Sequence, residues 1–191
     1  MQTLTLSATV VRIGIVAPSR AGTARSVHLG VTLGALLDEV LEAVPERYET
    51  PSWFRRPDSH GTTVVIPPEV PKSWVAAELV ARLRAELRRR NQHLNDYGRL
   101  RLRVALDHGD VVLRPPHVGG AAIVRSAWLC DATELRVAMA AEPATELLLI
   151  VSAGFYFDVI AERGRDLDPS AFRQIVITAG EGLEIGWLQT T

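Results

Sequence analysis

The sequence predicts an α+β fold: a ferredoxin-like βαββαβ core with further elements after it, a mostly antiparallel sheet, and helices packed mainly on one face. Three observations predict it. Apolar β-branched runs and long amphipathic segments follow one another in the order β-α-β-β-α-β, then α-β-α-β-β. Two of the amphipathic segments carry a helical apolar stripe with charges opposite. Clusters of turn-forming residues separate neighbouring strand-like runs, which makes those runs hairpins. No internal repeat, low-complexity tract or linker interrupts the 191 residues, so residues 1–191 read as one domain.

Each element has its own justification. Val10–Ala17, "VVRIGIVA", is a β-branched run and reads as the first strand. Ser26 is positioned to cap the helix after it. In that helix Leu29, Leu33, Leu36, Leu37, Val40, Leu41 and Val44 share one face, with Asp38, Glu39 and Glu42 opposite, and Pro45 ends it. Trp53–Arg56 and Thr62–Ile66 read as two strands around the turn "PDSHG". Ser73 opens a second helix that runs to about Asn91, with Ala76, Leu79, Val80, Leu83 and Leu87 as its stripe and "RLRAELRRRN" as a basic outer face. In "RLRLRVALDHGDVVLRP" the alternation sets Arg99, Arg101 and Arg103 on one side and Leu100, Leu102 and Val104 on the other, with "HGD" read as a turn or bulge. A helix is expected over about Ala121–Ala141, and "TELLLIVS" reads as a buried strand. A short helix capped by Ser152 and stopped near Gly164 comes next. A hairpin turning at "AGEG" closes the chain.

Composition bounds the function. The chain is 47% apolar and 23% charged with a net charge of −1, which gives no global field for nucleic acid or a membrane surface. The arginines are spread over several elements and no aromatic platform accompanies them, so nucleic-acid binding is not expected. No apolar run approaches the roughly 18 residues that span a bilayer. The N-terminal residues have no basic start before an apolar run, so no signal peptide is expected. Cys130 is the only cysteine, which excludes an internal disulfide and a multi-cysteine zinc site and fits a cytoplasmic setting.

Direct signs of chemistry are few. The histidines, His28, His60, His93, His108 and His117, show no metal-ligand spacing, and no GxSxG or GxxxxGK[ST] motif occurs. His60 and His108 fall in expected turns. Gly119 and Gly120 in "HVGG" stand before a helix, where free backbone N–H groups could receive an anion. The strand "RIGIVAPSR" holds no acid, and the hairpin "RPDSHGTTVVIP" holds one, Asp58. Cation-assisted phosphoryl chemistry on such a sheet needs two acids at adjacent strand edges.

The segments "LRVALDHGDV", "GAAIVRSAWL" and "LIVSAGFYFDVI" resemble the class III nucleotidyl cyclase catalytic domain, the adenylate and guanylate cyclase family. Their family counterparts are "hRhGhHxGEV", "GxAVNxAARL" and a strand ending "hhVS" before a short helix. The earlier elements occur in family order, and the likeness is greatest to a compact actinobacterial branch. The resemblance implies two metal-binding aspartates, one after the first strand and one in the hairpin turn. Those positions hold Val16 or Ala17, and Gly61, while Asp58 matches an earlier acid that binds no metal. It also implies an asparagine and an arginine, four apart on the helix, that position the nucleotide and stabilise the transition state. Val124 and Trp128 occupy those positions.

With all four positions lost, the resemblance implies a catalytically inactive relative with no cofactor. In the family one chain supplies the metals and the other the asparagine and arginine. This chain offers neither half, so an active partner would not restore a site. The expected role is a regulatory, interaction or assembly module, as a homodimer or with another protein. Val124 and Trp128 would either anchor an interface or fill the domain's own core. The alternatives are a nucleotide or cyclic-nucleotide sensor contacting phosphate through Asp58, His60, Gly119, Gly120 and Arg125, and an active enzyme of divergent mechanism using His60, Asp58 and Asp107.

Overall fold

The computed structural model describes residues 3–16, 22–114, 116–163, 167–180 and 182–190. Ala17, the expected stop at Gly164 and Glu181 of the closing turn lie outside them. The apolar first run extends further back than expected, as strand β1 (Leu4–Ile15). Helix α1 (Thr23–Glu42) follows, then β2 (Phe54–Asp58), β3 (Gly61–Ile66) and a continuous helix α2 through Lys72–Trp74, Val75–Leu79 and Val80–Asn91. The middle segment of α2 is one wider π-helical turn. Next come β4 (Leu102–Arg114), β5 (His117–Gly119), α3 (Ala121–Asp131), α4 (Thr133–Ala141) and β6 (Leu147–Ser152). Helix α5 (Ala153–Phe155 continued by Tyr156–Ile160), β7 (Phe172–Ala179) and β8 (Gly182–Gln189) close the described chain.

The strands form one sheet in the order β2-β3-β1-β4-β6-β8-β7, with β5 also paired to β4. The first four neighbours have the ferredoxin-like order, and the β4–β6 pair is parallel while the others are antiparallel. Alternation along the strands gives the two faces different contents. On one face Val11, Ile13, Val104, Leu106 and Leu149 pack with Leu33, Leu36, Leu83 and Leu87 of α1 and α2 and with Phe155 and Ile160 of α5. On the other, Ala105, Leu148, Ile150, Ile175 and Ile177 pack against Leu129, Leu135 and Met139 of α3 and α4. Thus the long helices share one face, and α3 and α4 cover the other.

Local expectations change in four places. Ser26 and Ser73 do not cap: α1 starts from Gly22 and α2 from Pro71, whose fixed φ suits the entry into a helix. "HGD" is not a turn. His108, Gly109 and Asp110 continue β4 and pair with Thr9, Ala8 and Ser7 of β1. Gly109 lies beneath α3, where a Cβ would make ordinary contact with the Ala122 side chain at 3.6 Å. The helix expected over residues 121–141 breaks at Ala132, which is extended (φ −55°, ψ 140°). Ser152 does cap as expected: its Oγ accepts the Phe155 N–H at 3.1 Å.

Candidate functional site

The hairpin turn and the end of β1 meet at one edge of the sheet. Ile15 donates its N–H to the His60 carbonyl at 2.8 Å, and Val16 donates to the Arg101 carbonyl at 2.8 Å. Gly61 pairs with Gly14 so closely that a Cβ on Gly61 would fall 1.9 Å from the Ile13 carbonyl oxygen. The backbone therefore leaves no room for any side chain there. Asp58 takes two hydrogen bonds from the Arg12 guanidinium, Nη2 to Oδ1 at 3.2 Å, and one from the His60 N–H at 2.9 Å. Burial works to raise the Asp58 pKa, but these bonds and the Arg12 charge hold it below its ordinary value. The Ser59 hydroxyl and the His60 ring meet at 2.8 Å.

These residues do not fit a divalent cation. Val16 has no side-chain oxygen, Gly61 has no side chain, and Asp58 is held by an arginine. Among the described residues no three His, Cys, Asp or Glu side chains converge as a ligand set.

The second group of positions lies on and before α3. Gly119 pairs with Val112 in a short strand. Gly120 turns the chain into the helix at φ 120°, where a Cβ would lie 2.3 Å from the Asp110 carbonyl oxygen. Only glycine makes this turn. Val124 and Trp128 are 44% and 40% exposed, so neither fills the core. The Trp128 ring reaches to within 3.5 Å of where a Cβ on Gly180 would stand. Arg125 points inward: Nη1 donates to Asp107 at 2.8 Å, and Nε lies 3.8 Å from Glu184. Asp107 is fully buried and also accepts the Ser152 hydroxyl at 2.6 Å. His108 is held between Ser7 and Thr9, and burial, then the Lys72 charge, lowers its pKa.

A third feature escapes sequence reading. Arg25, Arg99, Arg101, Arg103 and Arg136 line one cavity of about 470 Å³, together with Val16, Asp96 and Glu146. The alternation in "RLRLR" set three of these arginines on one side of a strand. Nothing local could add Arg25 from α1 and Arg136 from α4. Arg101 gives its N–H groups to the Met139, Glu142 and Thr145 carbonyls, which ties the end of α4 to β4. Burial, then the nearby Arg99 charge, lowers its pKa.

No protein-family model and no curated protein sequence matches the chain. Solved structures do. An adenylate/guanylate cyclase/hydrolase from Silicibacter pomeroyi is similar over 100% of this chain and 99% of its own, with a TM-score of 0.65 and 12% identity. The chain has the fold of a nucleotidyl cyclase catalytic domain. The guanylyl cyclase Cya2 matches 99% of this chain and 94% of its own at TM-score 0.64 and 13% identity. The guanylate cyclase domain of RhGC from Catenaria anguillulae, solved with GTP, matches 100% and 99% at TM-score 0.56 and 13% identity. Identities this low establish the cyclase fold alone. No described helix is long and apolar enough to cross a membrane.

Proposed function

We propose that this chain is a catalytically inactive cyclase-fold domain that works in the cytoplasm as a regulatory or assembly module, docking a second copy or another protein through the outer surface of α3. The exposure of Val124 and Trp128 carries this reading. These side chains stand where the resemblance expects an asparagine and an arginine, and neither completes the domain's own core. An exposed tryptophan one turn from an exposed valine suits an interface anchor and cannot donate the charged hydrogen bonds that phosphoryl transfer requires. The pairing of Asp58 with Arg12 and the closed backbone at Gly61 support the same reading.

Two measurements test it. Purified protein incubated with ATP or GTP and Mn²⁺ should form no cyclic nucleotide above a heat-killed control; turnover would overturn the inactive reading. Trp128→Arg should cost no more than about 1 kcal/mol of stability, because the side chain is 40% exposed and lies outside the core clusters. The same change should abolish association, read by sedimentation of the chain alone and with a candidate partner. Unchanged association would remove α3 as the docking surface.

A further inference from the structure

The arginine-lined cavity goes beyond that reading and does not depend on it. Five guanidinium groups from α1, the segment before β4, β4 itself and α4 share one wall. Three carboxylates stand among them: Glu146 is 3.6 Å from Arg99, Asp131 is 3.4 Å from Arg103, and Asp96 also lines the cavity. Some of the arginine donors are also unused, although Arg101 is fully engaged with carbonyls and Arg25 gives Nη2 to the Asp96 carbonyl at 2.7 Å. Arg103 is 7% exposed, yet its Nε and Nη1 have no hydrogen-bond partner. Nε of Arg25 and Nε of Arg99 are likewise buried and unpartnered. Buried donors without acceptors are rare in folded proteins and costly, and four of them belong to arginines of this cavity wall.

An acceptor that would complete these donors has a definite chemistry. It must be anionic, because it offsets several fixed positive charges, and it must offer many oxygens in a small volume. Guanidinium groups read phosphate oxygens in bidentate fashion, and the cavity is of the size that holds a small ligand. The fold also reserves space for the arginine at the centre. A Cβ on Gly14 would lie 3.4 Å from the Arg103 Nη2 and 2.8 Å from the Cys130 sulfur, so the glycine keeps the guanidinium in place against β1. We infer that the cavity between β1, β4 and α4 binds a multiply charged phosphate anion through Arg25, Arg99, Arg103 and Arg136, without a metal ion. Arg101 shapes the wall by holding α4 and contributes its charge.

Calorimetry on the full chain in EDTA, at about 150 mM salt, tests this with inorganic phosphate, pyrophosphate, tripolyphosphate and ATP. Affinity should rise with the number of phosphates. ATP equal to tripolyphosphate means the phosphate chain alone is read; ATP tighter means the nucleoside adds contacts; both support the site. Arg103→Lys keeps the charge and removes the paired donors, and should weaken tripolyphosphate binding about tenfold or more. Arg136 is exposed and bonded only to the Thr133 hydroxyl, so Arg136→Gln will fold, and it should lose about fivefold or more. Arg88→Gln, on the outer face of α2, should change nothing. Absence of heat with every phosphate at millimolar concentration overturns the site. So does an Arg88→Gln loss equal to that of Arg136→Gln, because binding would then be diffuse charge attraction.

Discussion

Beneath α1 and α2, β1 presents Val11, Ile13 and Ile15 and β4 presents Leu102, Val104 and Leu106, buried among leucines and Trp74. On the opposite face the same two strands present Arg12, Arg103 and Asp107, all buried as well. Burying a charge is costly unless it is paired, and even paired charges rarely outperform a well-packed apolar substitute. The apolar face therefore accounts for most of the stability. The opposite face has its own apolar cluster under α3 and α4, and beside it keeps groups that stability does not demand: Arg12 with Asp58, Asp107 with Arg125 and Ser152, and Arg103 at the cavity. The outer surface of α3 above that face adds two exposed apolar side chains to water. One sheet thus separates an apolar side from a side that combines a second apolar cluster with buried charges.

The separation makes its largest prediction on the apolar face. Trp74 is fully buried and lies against Tyr48, with ring centroids 4.7 Å apart. Trp74→Ala should cost about 3–5 kcal/mol in urea unfolding, from lost burial and the cavity left behind. A cost near 1 kcal/mol would mean the two faces share stability more evenly than their composition implies. On the polar face an asymmetry should appear. Arg125→Ala strands the buried Asp107 carboxylate and should cost about 2–3 kcal/mol. Asp107→Ala leaves an arginine that is a third exposed and free to turn to water, and should cost about 1–2 kcal/mol. Equal costs would show that Arg125 is as sequestered as its partner.

The apolar face was legible because its signals are local. The stripe of Leu29, Leu33, Leu36, Leu37 and Val40 follows from helical periodicity, and each of those residues is buried. Where a local signal competes with tertiary packing, it misleads. "HGD" has turn chemistry, yet pairing with Ser7–Thr9 of β1 holds it in the strand. Serines early in a helix resemble caps, although Gly22 and Pro71 occupy the cap positions. Val124 and Trp128 were visible as apolar residues on a helix, but periodicity could not say which side faces water. The arginine cavity was least legible, because Arg25, Arg103 and Arg136 are far apart in sequence and the sheet alone brings them together.

The smallest effect concerns pH. Asp58 has its folded-state pKa held below the unfolded value, which is about 4. A depressed carboxylate stabilises the fold fully above the unfolded pKa and loses that contribution as pH falls through the folded value. Asp58→Asn removes the titration and should lower stability at pH 7 by about 1 kcal/mol or less, because the Asp58 side chain is 36% exposed and screened by water. The gap between the two proteins should hold from pH 7 to about 5 and shrink as pH falls below about 4, the unfolded value, and the native aspartate protonates. Urea midpoints at pH 7, 5, 4 and 3 read this directly. A gap that stayed constant down to pH 3 would mean that the loss comes from altered hairpin packing. In that case the Arg12 ion pair would contribute nothing to holding the turn against β1.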